Sequence, residues 1–195
     1  MRPERTATLP AEVLAFWFGQ PPTEQPRAEW FRKDPGFDER IRQRFGAVLQ
    51  QALDGGLQHW HSRPEGVLAC ILVLDQFTRN AFRDTPRAFA GDAQALAAAQ
   101  ALVAGDGDQQ LPPLQRWFAY LPFEHAEDRA VQRQSLQLFA ELARVHPALA
   151  DAHHWAVKHA EVIERFGRYP HRNAILQRPS TAEEEAFLRE PGSSF

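Results

Sequence analysis

Lysine is nearly missing from this chain: of its 22 basic residues only Lys33 and Lys158 are lysine, which leaves 20 arginines. Cysteine is present once, as Cys70, and this excludes an intramolecular disulfide and any multi-cysteine zinc or iron–sulfur centre. Because Cys70 lies in the apolar run Val67 to Leu74, its thiol is expected to be buried and inert. No window comes near the roughly 18 consecutive apolar residues of a membrane span, and residues 1–10 have no secretory apolar core. The expectation is a cytoplasmic protein without membrane attachment. A net charge of −3 leaves no global field to draw in nucleic acid, so no nucleic-acid partner is expected. Glycine-rich phosphate loops, His-Glu-x-x-His, Gly-x-Ser-x-Gly, dinucleotide fingerprints and Glu-x-x-His pairs are also missing. Accordingly no cofactor and no metal are expected.

What is present is helical. The 195 residues suit one domain, expected over 10–195 behind an N-terminal tail, 1–9. Pro10 to Phe18 reads as a helix with Pro at its first turn and Gly19 at its end. Phe37, Ile41, Phe45, Val48 and Ala52 repeat every three to four residues up to Gly55-Gly56. The next helix, from near Pro64 through Phe77, is apolar on every side and is therefore expected at the centre. Ala88 to Ala104 is an alanine-rich helix. Pro112-Pro113 opens a short one through Tyr120, and Glu124 to Val145 is read as a new helix after Pro122. Leu149 to Ile163 follows, and Ser180-Thr181-Ala182-Glu183-Glu184 offers a capping-box start for the last. Seven to nine helices with short loops and no strand alternation define an all-α array.

Four segments break the pattern of polar outside and apolar inside. Asp75 and Arg79 lie four apart on the most apolar helix, so they share a face and can pair. In the second segment Glu124 and Asp128 are four apart and His125 and Asp128 three apart, which allows carboxylates and an imidazole to cluster. If Pro122 precedes a helix, those acids would simply favour its positive end. His159 interrupts the stripe Ala156, Ala160, Ile163 and reads as a satisfied core histidine.

The last segment, Arg165-Phe166-Gly167-Arg168-Tyr169-Pro170-His171-Arg172-Asn173, is extended by Arg178. Four arginines and a histidine stand there with no acid before Ala182. Such a loop must face solvent, dock on distant acids such as Asp75, Glu124, Glu127 and Asp128, or bind an anion. Planar guanidinium forks suit carboxylate or phosphate.

Five stretches, in this order and spacing, resemble a bacterial family known only as domain of unknown function 924. They are Val13 to Gly19, Trp30 to Asp34 with Phe37-Asp38, Leu74 to Asn80, Leu121 to Asp128, and Arg165 to Asn173. The resemblance runs from about residue 10 to Phe195 and implies an all-helical, tetratricopeptide-like fold, but no reaction. It leads one to expect proline where Thr78 stands and a leucine-glycine pair where Leu176-Gln177 stands.

The leading functional expectation is a binding module for a small anion or a carboxylate-bearing peptide. Its pocket would be formed by Asp75, Arg79, Arg165, Arg168, His171, Arg172 and Asn173. The alternative is a hydrolase in which His125 or His171 works with Glu124 or Asp128 as an acid–base pair. A third reading, a protein–protein scaffold, would need Trp17, Trp30 and Trp60 exposed in one patch.

Overall fold

The computed structural model describes residues 8–193. Most of the expected tail, residues 1–7, lies outside them. Among the described residues there is no β-strand and there are eight helices in one domain. We number them α1 (Pro10–Phe18), α2 (Pro35–Leu53), α3, α4 (Asp92–Ala104), α5 (Pro113–His125), α6 (Arg129–Val145), α7 (Ala150–Phe166) and α8 (Ala182–Leu188). Continuous through three stretches, α3 runs Pro64–Ile71, then a π-helical Leu72–Phe77, then Thr78–Ala81. No helix among these residues is long and apolar enough to cross a membrane.

The apolar helix does occupy the centre. Leu68, Ala69, Ile71, Leu72, Val73 and Phe77 of α3 have no exposed surface, and α1, α4 and α5 pack around it. Aromatic rings fill the space on one side, where Trp17 lies 5.7 Å from Phe77 and 5.6 Å from Phe118 between ring centroids. Trp17, Trp30 and Trp60 are all buried in this core, so the tryptophan patch required by a scaffold reading does not exist.

Two local devices shape the site. The π turn widens α3 from Leu72 to Phe77, directly through Asp75, and such turns re-aim the side chains that follow them. It ends at Thr78, whose hydroxyl donates to the Leu74 carbonyl at 2.7 Å. The second device is Gly91. A Cβ there would sit 2.2 Å from the Leu74 carbonyl oxygen, so only glycine lets the start of α4 lie against the π turn. That approach sets Asp92, the first residue of α4, beside Arg79.

The structure corrects one boundary. α5 does not stop at Tyr120 but continues to His125 with Pro122 inside it, and the next helix starts at Arg129. Glu124 and His125 therefore sit at a helix C-terminus rather than in a first turn. Asp128 alone plays the expected N-terminal part: its carboxylate caps α6 by accepting from Ala130 N at 2.7 Å and Val131 N at 2.9 Å. The last helix begins as its sequence signals, with reciprocal bonds between Thr181 and Glu184.

Candidate functional site

A cleft of about 740 Å³ opens where the end of α3, the end of α5, the face of α7 and the loop after α7 converge. Its floor carries Arg79, Glu124, His125, His159, His171 and Arg172. These six come from four segments far apart in sequence: the end of α3, the end of α5, the face of α7 and the loop after α7.

Asp75 organises the floor. Fully buried, it lies 2.7 Å from His125 Nδ1 and 3.1 Å from Arg79 Nη1 through the same Oδ1. The neighbouring Arg79 and His125 outweigh the cost of burial and hold its carboxyl well below the usual range. An ionised carboxylate can only accept, so Nδ1 of His125 carries the hydrogen and Nε2 keeps a lone pair. Burial keeps His125 in that neutral form by pulling its pKa down, against the opposing pull of Asp75. The result is a carboxylate-oriented imidazole. Arg79 is then bound to Asp92 in a fork, with contacts of 2.8 and 3.1 Å, and all of its charge is compensated.

Glu124, beside this pair, is in the opposite state. Burial first, and the Asp75 charge second, push its carboxyl up to about 8, so it is protonated at neutral pH. Its Oε1 is 3.3 Å from His159 Nδ1, whereas Oε2 is buried with no hydrogen-bond partner. Burial keeps His159 and His171 neutral as well, lowering them to about 3 and about 4. The Nδ1–H of His159 donates to the Trp155 carbonyl at 2.9 Å.

Arg172 is the exception among the arginines. Only 6% exposed, it has its guanidinium carbon 4.5 Å from the Tyr169 ring centre and 4.7 Å from that of Phe89. Its ion pair is one long contact, 3.4 Å from Nη1 to an Asp92 that Arg79 already grips, and its Nε is buried without a partner. Burial and the like charge of Arg79 lower its pKa. A buried guanidinium is ordinarily paired closely, and this one is poorly matched.

The other residues expected in an arginine pocket are placed elsewhere. Arg165 pairs with Glu183 at 2.9 Å on the surface. Arg168 grips Glu184 through two contacts of 2.6 and 2.8 Å. Arg178 grips Glu127 in the same way, at 2.5 and 2.9 Å, and donates to Asn173 Oδ1 at 3.0 Å. Asn173 is buried in this network, donating to Ser180 at 3.1 Å. These groups fasten the segment after α7 onto α8 and onto the loop before α6. The expected set thus divides: Arg79, His171 and Arg172 line the cleft with Glu124 and His125, Asp75 is buried against Arg79 and His125 without lining it, and Arg165, Arg168, Asn173 and Asp128 do not line it.

Two contributors escaped the sequence reading. Asp92 looks like any acid in the first turn of an alanine-rich helix, and its only local clue is Gly91 before it. His159 was read as a core residue, and it is buried, but it also faces Glu124. No group of three His, Cys, Asp or Glu side chains arranged to hold a metal ion occurs among the described residues.

Fold and site together define an all-helical protein with one end of its bundle opened into a mixed polar and aromatic cleft. The chain belongs to the family described as "Bacterial protein of unknown function (DUF924)", whose family model matches residues 13–192. It is similar to a solved structure, the "Protein of Unknown Function ATU0120 from Agrobacterium tumefaciens", with 37% identity and a TM-score of 0.81 over 92% of this chain and 96% of that one. Comparison with curated proteins gave no match.

Proposed function

We propose that the cleft binds a small organic molecule through an anionic group, carboxylate or phosphate, held by Arg172. The observation that carries this reading is the state of Arg172: buried, sandwiched between Phe89 and Tyr169, and compensated by one 3.4 Å contact. Arg79, whose own charge is met by Asp75 and Asp92, occupies the aspartate that Arg172 would otherwise have to itself. A cleft of this volume accommodates a small molecule. The test is thermal unfolding with added propionate or inorganic phosphate. At least one is expected to raise the midpoint of the wild type and not that of Arg172→Ala, while Arg168→Ala keeps the response. If Arg172→Ala retains the full response, the reading fails.

A second reading, acid–base hydrolysis of the bound molecule, is favoured by a separate observation. A neutral imidazole oriented by Asp75 and a protonated carboxyl stand side by side on the cleft floor. Groups whose surroundings drive their titrations apart in this sense supply a base and an acid at one pH. Water would give a proton to His125 Nε2 as its oxygen attacks an ester carbonyl. Glu124 would protonate the departing alkoxide, and proton transfer from His125 to Glu124 would restore both groups. Asp128 has no part in this, being occupied as a helix cap. Release of ethanol from monoethyl glutarate is expected to fall at least tenfold in His125→Asn and in Glu124→Gln; rates equal to wild type in both variants contradict it.

A further inference from the structure

The charged group of a ligand is accounted for by Arg172; the rest of the cleft lining mixes polar side chains, among them Arg32, Lys33, Arg83 and Asp151, with aromatic and apolar ones. Phe31 stacks on Trp117 with ring centroids 5.3 Å apart and planes 22° from parallel. Trp155 of α7, Leu121 and Leu149 line the same cleft. Large hydrophobic side chains with substantial exposure are few among the described residues. Two of them, Phe31 at 57% and Trp155 at 49%, line this cleft. Among the described residues every other phenylalanine, tryptophan and tyrosine is buried or half-buried, so the two exposed rings both belong to this cleft. Arg172, held 4.7 Å from the Phe89 ring centre, lines the same cleft as Phe31 and Trp155.

Resting on the anion-binding reading above, we propose that the ligand is an acid with a flat apolar body, of the arylalkanoate class. Its carboxylate meets Arg172 and its ring packs between Phe31 and Trp155. A buried cation and two exposed rings in one cleft match a molecule of that polarity and no simple inorganic ion. A ring enclosed by two aromatic side chains gains from both area burial and ring–ring geometry.

Calorimetric titration of the whole chain with 3-phenylpropionate, propionate and 3-phenylpropanol tests this. 3-Phenylpropionate is expected to bind at least about tenfold more tightly than either of the others. Trp155→Ala, a substitution at an exposed position, is expected to weaken 3-phenylpropionate about fivefold or more and to leave propionate unchanged. Arg172→Ala is expected to weaken both acids and leave the alcohol as it was. Equal affinities for propionate and 3-phenylpropionate, or indifference of 3-phenylpropionate to Trp155→Ala, overturn the aryl assignment while leaving the anion site standing. Acid binding that survives Arg172→Ala, or no binding of either acid, overturns both.

Discussion

Two groups of arginines within fourteen residues of chain have opposite fates. Arg165, Arg168 and Arg178 each meet a glutamate of their own, and Arg168 and Arg178 do so with two nitrogens. Arg172, between them in sequence, shares an aspartate that is already committed to Arg79. The first group is a clamp: its charges cancel, and the gain is a fixed path for the segment after α7. Arg172 is the residue that the clamp aims, and its charge is left for something else. An acid-free arginine run is therefore not one feature. Compensation, residue by residue, separates structural arginines from a candidate ligand-binding one.

The largest expected effect lies at the cleft floor. Asp75→Ala strands Arg79 and His125 in a buried site, and loss of one partner of a buried pair costs about 3–5 kcal/mol. Urea denaturation measures this, and a loss under about 1 kcal/mol would mean that Asp75 does not hold the floor together. Next is Gly91→Ala. A Cβ only 2.2 Å from the Leu74 carbonyl oxygen forces α4 outward, at about 1–3 kcal/mol. Asp92 moves with α4, so a change in anion affinity should accompany the loss of stability. In the clamp, Arg178→Lys gives up the forked contact to Glu127 and is expected to cost about 1–2 kcal/mol. Arg165→Lys, on an exposed pair, should leave the denaturation midpoint unchanged. Equal costs at 165 and 178 would erase the distinction between forked and simple pairs.

The cleft floor also contributes to the pH dependence of stability. Glu124 in the folded chain is raised to about 8 from an ordinary value of 4.5. Between those values the folded state keeps a proton that the unfolded state has lost, so this group makes stability fall as pH rises. His159 and His171, lowered to about 3 and about 4 from 6.5, act in the other sense. Unfolded histidine takes up protons below 6.5 while the buried ones do not, and stability falls as pH drops from there. The charges facing Glu124 and these histidines are those of Asp75, Arg79, Glu127 and Arg172. Denaturation of Glu124→Gln at pH 5, 6.5 and 8 is expected to show a shallower decline toward pH 8 than the wild type. Parallel curves would mean that Glu124 is ionised in the fold.

Much of the fold was legible because its signals are local. The apolar α3, the Pro10 start and Gly19 stop, and the Thr181 capping box are each specified by neighbours in sequence. The i, i+4 spacing of Asp75 and Arg79 announced their contact. Pro122 misled, because a proline inside a helix breaks the local rule and burial in the core outweighs it. Gln177 shows the reverse. The family resemblance leads one to expect glycine there, and the residue has φ of 56°, the left-handed region that glycine enters without strain. The site was half legible. Its loop residues stood out by charge, but nothing local tells that Arg168 finds Glu184 and Arg172 does not, or that Gly91 delivers Asp92 to both cleft arginines.

The account stands on Arg172 being the arginine left for an anion. Side-chain nitrogen NMR of the arginine Nε–H groups, recorded during titration with 3-phenylpropionate, reads this directly. The resonance lost in Arg172→Lys is expected to shift with added acid while that of Arg168, held by Glu184, stays in place. Movement of the Arg168 resonance with Arg172 unmoved would contradict it.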